Sequence, residues 1–300
     1  MLNKPKHAFL IMAHNNFSVL KSLISQIDAE NHDIYIHINK KVKTFPMNEI
    51  IACAKKSKIT FVDRKVVKYC DYTMMNAVKS LMKTASLTYH DYYHMISGAD
   101  MMLKSNVEFD EFFEEKNGCE FVGFEADYNE DSVHYRNYFI ALHRTKYHHV
   151  NIAFIKMRRF LISLQKKLGL KVKKIENYEV KKGYDWYSVT HNAVIYLLEN
   201  EPIFKKAFYR AFCPTENFVQ TLLWNSEFRD KLYKLESDDT CEQCLRCIDW
   251  QRGRPYIFRY DDKELLDKSK AMFARKFDEN LDMEIVNYLK EKTLNNVEVE

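Results

Sequence analysis

His7-Ala8-Phe9-Leu10-Ile11-Met12-Ala13, closed by His14-Asn15-Asn16, is the stretch from which the fold is read. It has the length of a strand and is almost continuously apolar, as a strand covered on both faces must be. Phe17, Leu20, Leu23, Ile24 and Ile27 then recur at helical spacing, and Asp33-Ile34-Tyr35-Ile36-His37-Ile38 reads as a second strand. The three segments predict a β-α-β unit. Parallel strands joined in this way hold their ligands outside the carboxyl ends. His14-Asn15-Asn16 and Asn39-Lys40-Lys41 therefore share one polar edge.

Working outward, Ile59-Thr60-Phe61-Val62 reads as a third strand, and Tyr72 to Ala85 as a helix with Met75, Val78, Leu81 and Met82 facing inward. Tyr92-Tyr93-His94-Met95-Ile96 is a strand ending at Ser97-Gly98-Ala99-Asp100. That ending reads either as a carboxylate, Asp100, set at the sheet edge or as an ordinary Gly/Asp turn. No G-x-G-x-x-G and no G-x-x-x-x-G-K-[ST] occurs, so any nucleotide phosphate needs another cradle. Only six Gly and five Pro interrupt 300 residues, with no repeat or linker, which predicts one α/β domain, 1–300. Within it, about 1–125 would form the nucleotide-binding half and 126–300 the acceptor-binding half. An excess of 46 − 42 = 4 positive residues is too small to indicate a nucleic-acid partner. The apolar run Ala8 to Ala13 is too short for a signal peptide or a membrane span, so a cytoplasmic chain is expected.

The odd count of seven cysteines argues against a disulfide framework. Cys241, Cys244 and Cys247 have C-x-x-C-x-x-C spacing, but no histidine follows His191 to complete four ligands, and plain thiols are the simpler reading.

Cys213-Pro214-Thr215-Glu216-Asn217-Phe218-Val219-Gln220-Thr221-Leu222-Leu223-Trp224 reads as a helix start: proline suits the first turn, Thr215 could cap, and Phe218/Leu222 and Val219/Leu223 recur at i,i+4. Glu216 in that first turn fits two roles, a general base or a complement to the helix dipole. From Lys146 to Lys174, Phe154, Met157, Leu161, Leu164 and Leu168 share one helical face among many basic residues. Such a helix either lies on an anionic membrane surface or packs in the core with a solvated outer face. Gly183-Tyr184-Asp185-Trp186-Tyr187 sets an acid beside flat rings, as sugar-binding surfaces and core edges both do. Arg246, Arg252, Arg254, Arg275 and Lys276 form two cationic clusters able to neutralise a diphosphate or to stay solvated.

Six of these segments occur in the order seen in one family: Ala13-His14; Ile36-His37-Ile38-Asn39-Lys40; Tyr92 to Asp100 with Leu103-Lys104-Ser105; Pro214 to Thr221; Arg246-Cys247-Ile248-Asp249-Trp250; and Phe273 to Asp278. The chain resembles the core-2/I-branching β-1,6-N-acetylglucosaminyltransferase family, which also includes peptide O-xylosyltransferases, and is most similar to its bacterial members. The resemblance implies a GT-A type fold with a Rossmann-like central sheet flanked by helices, and inverting transfer from a UDP-sugar without divalent metal or other cofactor. No D-x-D occurs in the chain, in keeping with the last point. By matching position it implies Glu216 as base, and Arg246 and Lys276 against the diphosphate with Arg254 and Arg275 in reserve. It places His14, Asn39 and Asp100 on the donor, and Glu125, Asp185 and Trp186 on the acceptor. Two departures stand out: Asn39 occupies a position that is Asp in many relatives, and Tyr69-Cys70-Asp71 replaces a frequent Trp-Gly-Gly.

The expected reaction is transfer of GlcNAc, with xylose as the alternative, onto a glycan or lipid-linked oligosaccharide such as a cell-surface polysaccharide precursor. The segment 146–174 would supply peripheral contact with an anionic membrane. A non-catalytic glycan-binding protein on the same fold is the rival reading. Nucleic-acid binding through the basic helix is a weaker one, since no binding motif accompanies it.

Overall fold

A computed structural model describes residues 4–126, 152–168, 175, 177–211 and 213–295. β1 (His7–Ala13), β2 (His32–Ile38), β3 (Lys58–Phe61) and β4 (Tyr92–Ser97) run parallel to one another. β5 (Asp100–Met102) leaves this sheet immediately after β4. β6 (Phe121–Val122) and β7 (Tyr187–Thr190) close the other edge, β7 antiparallel to β4 and β6 antiparallel to β7. The order is β3-β2-β1-β4-β7-β6. The α/β class expected from the first strand is the one observed.

Alternation along β1 explains why so apolar a strand forms. Phe9, Ile11 and Ala13 pack on one face of the sheet with α1 (Phe17–Gln26). Ala8 and Leu10 pack on the other with α2 (Thr73–Ala85), whose Met75, Val78, Leu81 and Met82 all face the sheet as their spacing predicts. β1 also pairs with both β2 and β4, so every edge of it is covered. α3 (Asn106–Glu115) begins in a capping box, Ser105 with Glu108, and lays Phe109 and Phe113 on the first face.

The basic segment forms α4 (Ile152–Lys167). Its expected apolar face is not buried: Met157, Leu164 and Leu168 are 44%, 40% and 65% exposed. The core-helix reading is therefore corrected for these side chains, because no described element packs over them. Leu161 is half-buried, and the Phe154 side chain and residues 146–151 and 169–174 lie outside what is described. Among the described residues no helix is long and apolar enough to cross a membrane.

α5 (His191–Phe208) and α6 (Thr215–Trp224) pack together on the second face. Phe218, Val219, Leu222 and Leu223 of α6 are buried, each contributing about 1.5–3 kcal/mol by leaving water. A second, three-stranded sheet was not foreseen. It joins β5 to β9 (Phe273–Arg275) antiparallel and β9 to β8 (Arg246–Ile248) parallel. α7 (Glu284–Asn295) then packs back against α1 through Ile285, Val286 and Leu289.

Candidate active site

The chain leaves β1 toward β2 and β3 on one side and returns to β4 on the other, so the carboxyl ends of β1 and β4 flank a topological switch point, where α/β sheets bind ligands. A cavity of about 750 Å³ opens there, within the usual range for a small-molecule site. His14, Asn39, Ser97, Asp185, Trp186, Glu216, Arg254, Arg275 and Lys276 all line it. Gly98 lines the gap between the strands, where a β-carbon would come within 2.9 Å of Ala13 Cβ.

Glu216 occupies the first turn of α6, as the Pro-Thr-Glu order predicts, with its side chain 26% exposed. Pro214, not Thr215, is the N-cap, and no side chain caps the helix; the Cys213 and Pro214 carbonyls accept from Glu216 and Asn217 N–H instead. Thr215 is thereby released to line the cavity. The polar side of α6 holds the segment that brings in the aromatics. Asn217 Nδ2 donates to Lys181 O at 2.8 Å, Gln220 Nε2 to Tyr184 O at 2.8 Å, and Gly183 N to Glu216 O at 2.9 Å. Lys182, on this segment, places its ammonium 3.7 Å from Glu216 Oε2 and pairs with Glu125 as well. Glu125 is thus linked to the site through Lys182 and is not in the cavity wall. Lys182 was missed from sequence; its one signal was a basic residue just ahead of Gly183.

The lining is also cationic. Arg275 lies over Trp186, its guanidinium carbon 4.0 Å from the ring centre, with Nε 3.6 Å from Asp100 Oδ1. Asp100 is buried, accepts from Ser97 N–H and Ser97 Oγ–H, and lines no part of the cavity. Its expected donor contact is corrected to a supporting one: it shapes the β4 turn and faces the arginine. Lys276 follows at the end of β9, and Arg254 enters from the loop after β8. Partial burial, then Lys276 nearby, holds His14 below its ordinary pKa.

Arg246 requires a larger correction. It is 1% exposed and does not reach the cavity. Its guanidinium donates to Cys244 O (2.6 Å), Met95 O (3.3 Å), Tyr187 O (2.9 Å) and Ser188 Oγ (3.2 Å), and lies over Phe273. Burial brings its pKa down to about 10, so it is still a cation at neutral pH. β8 turns this side chain toward the main sheet, where its two terminal nitrogens are satisfied behind Met95 and Tyr187 of the cavity lining while Nε makes no hydrogen bond. A charge in the sequence does not say which side of its strand it will face.

Asn39 is largely occupied by protein. Its Oδ1 accepts from Lys41 N and Val67 N, and its Nδ2 donates to Val67 O, tying the 65–68 segment to the end of β2. That segment leads to Tyr69, a cavity-wall aromatic at the position where the family pattern is departed from. The thiols of Cys241 and Cys244 donate to the carbonyls of Ile248 and Cys241.

The site can do two things at once: present an accessible carboxylate beside an aromatic and acidic patch, and present three fixed cations to an anionic group. A model of the Core-2/I-Branching enzyme family matches residues 7–268. Among curated proteins, xylosyltransferase sqv-6 of Caenorhabditis briggsae is 27% identical over 142 residues, 42% of this chain and 18% of that protein. The Caenorhabditis elegans xylosyltransferase sqv-6 is 26% identical over 128 residues, 37% and 16% respectively. This chain spans under a fifth of the length of those relatives. Among solved structures, apo mouse xyloside xylosyltransferase 1 aligns over 90% of this chain and 96% of its own at 10% identity and a TM-score of 0.38.

Proposed function

The chain belongs to the Core-2/I-Branching enzyme family, and from that premise we propose that it is an inverting glycosyltransferase on a GT-A type fold, moving a sugar, GlcNAc first, from UDP to a hydroxyl of a glycan acceptor without a divalent metal. One observation carries this reading: one switch-point cavity is lined both by Glu216 and by Arg254, Arg275 and Lys276. Inverting displacement asks for both. The acceptor oxygen attacks the anomeric carbon from one face while UDP departs from the other, so a base and a cluster of cations must face each other across the sugar.

Glu216 takes the acceptor proton as the new C–O bond forms, since a hydroxyl is too weak an acid to ionise first. The electrons of the breaking C–O bond pass to the β-phosphate, where charge grows until departure. Arg275 and Lys276 stabilise it most at that moment, and Arg254 adds a third charge. Arg275 cannot drift, because Trp186 and Asp100 hold it from two sides. Lys182 keeps Glu216 turned toward the cavity. Asp185 and Trp186 supply a polar edge and a flat face for the acceptor sugar.

Transfer of xylose is a second reading, favoured by the curated relatives, both of which are named as xylosyltransferases. The test is UDP release from a panel of UDP-sugars, with and without EDTA, for wild type and Glu216→Gln. Selective release that survives EDTA and falls about 10²- to 10⁴-fold in the variant is expected. Release that requires metal, or that persists in Glu216→Gln, overturns the assignment of roles.

A further inference from the structure

At the amino ends of β1 and β2, on the far side of the sheet from the cavity, three buried side chains from distant parts of the chain converge. Asp110 of α3 brings Oδ1 to 3.2 Å from His32 Nε2 and 3.4 Å from His7 Nε2. All three ligating atoms lie within 4.8 Å of one another. Six strand steps separate His7 from Ala13, so the cluster is on the order of 20 Å from the catalytic edge.

The surrounding contacts orient all three side chains toward one point. His32 Nδ1 is 2.9 Å from Ile27 O; a carbonyl only accepts, so Nδ1 carries a hydrogen and Nε2 is the atom turned onto the Asp110 carboxylate. At 3.2 Å the two atoms need a positive charge between them, a proton or a metal ion. His7 also turns Nε2 toward Asp110. Its Nδ1 is engaged with His94 Nε2 at 2.9 Å, and its Nε2, fully buried, makes no hydrogen bond of acceptable geometry although Asp110 is close. Both imidazoles are thus oriented through their far nitrogens, as metal-bound histidines usually are. Asn31 Nδ2 donates to Asp110 Oδ1 at 3.1 Å and Lys4 Nζ stands 3.4 Å from Oδ2, positions that also orient a ligating carboxylate. Bonds of about 2.0–2.1 Å to one tetrahedral ion put neighbouring ligand atoms about 3.3 Å apart. The observed 3.2 and 3.4 Å agree.

We propose that His7, His32 and Asp110 bind one divalent transition-metal ion of the zinc type, with water as the fourth ligand, as a structural tie between β1, β2 and α3. The ion takes no part in sugar transfer, and the proposal does not depend on that reaction.

The test uses the full chain, stripped with a chelator and exchanged into metal-free buffer. Zinc is expected to bind at about one per chain and, at a hundredfold excess over Kd, to raise Tm by about 5 °C or more. Cobalt in its place is expected to show the intense visible bands of a tetrahedral ion with nitrogen and oxygen ligands. Asp110→Asn and His32→Gln should lose both responses, whereas Cys241→Ser with Cys247→Ser should retain them. The cobalt spectrum needs only wild type, so the proposal stays falsifiable if either cluster variant misfolds. No cobalt bands and an unmoved Tm would show that a proton, not a metal, joins the cluster. Uptake lost in the cysteine variant and kept in Asp110→Asn would move the ion elsewhere. Either result overturns the proposal.

Discussion

Replacing Arg246 by Met separates its buried position from its expected place on the diphosphate. The variant keeps an unbranched apolar stem over Phe273 and removes the guanidinium that satisfies three backbone carbonyls and Ser188. Each buried carbonyl left without a donor costs about 1–3 kcal/mol. Relief from burying the charge offsets part of this, and disrupted buried charge sites net to about 3–5 kcal/mol. At roughly 2–4 °C per kcal/mol for a chain approaching this size, Tm should fall on the order of 10 °C. Below the lowered transition, the donor KM should stay within about threefold, since no Arg246 atom lines the cavity. Lys276→Met is the counterpart: Tm nearly unmoved, and kcat/KM for the donor lower by roughly 10- to 100-fold, the worth of one charge-assisted contact of about 1.5–3 kcal/mol. Differential scanning fluorimetry and initial-rate UDP release give both numbers. An Arg246→Met variant with unchanged Tm and a tenfold higher donor KM would refute the reasoning.

Two further predictions concern other parts of the site. His37 accepts from Lys65 N–H through Nε2 at 2.8 Å, and burial foremost lowers its pKa from 6.5 to about 4. The unfolded chain binds this proton first, so the contribution is fully present above pH 6.5 and is lost as pH falls toward 4. The ceiling is (6.5 − 4) × 1.36, or about 3 kcal/mol. His37→Gln keeps an acceptor that does not titrate and should flatten the fall in denaturant midpoint between pH 7 and 4.5; an unchanged slope would exclude His37 as its source. Gly183→Ala would set a β-carbon 1.7 Å from Gly123 O, against backbone that cannot yield cheaply. Activity should fall more than tenfold and Tm should drop by several degrees, because the segment holding Lys182 and Asp185 is forced away from Gly123. A variant that melts and turns over like wild type would mean that this contact does not position the site.

Much of the frame was legible because the apolar runs and their spacing carry it. β1 through β4, α2 and the place of Glu216 all follow from patterns a few residues long, and the switch-point rule then names the edge where ligands bind. What was not legible depended on closure of the whole chain. β5, β8 and β9 are three residues each, too short for any period to show, and with them went the side to which Arg246 turns. Asp100 and Arg275 stand in adjacent strands although 175 positions separate them in sequence. His7 was read only as the start of an apolar run, and neither His32 nor Asp110 was placed in any element, so nothing local marked them as neighbours. The apolar stripe of α4 is present as read, yet periodicity states only that one face is apolar, not what covers it.

The join between Asn16 and Phe277 bears on how the molecule is made. Asn16 Nδ2 donates to Phe277 O at 3.3 Å and Ser18 N to Glu279 Oε2 at 2.7 Å, each across 261 positions. A ribosome adding about 5–20 residues per second needs roughly 13–50 s to supply the second half of either contact. Until then the first strands are out with the crevice beside them unroofed. Contacts of such long sequence separation slow folding and favour a late, all-or-none closing step. The nascent chain would therefore be a client for chaperones that shield exposed sheet edges, and it would acquire its donor pocket only when nearly the whole polypeptide has emerged.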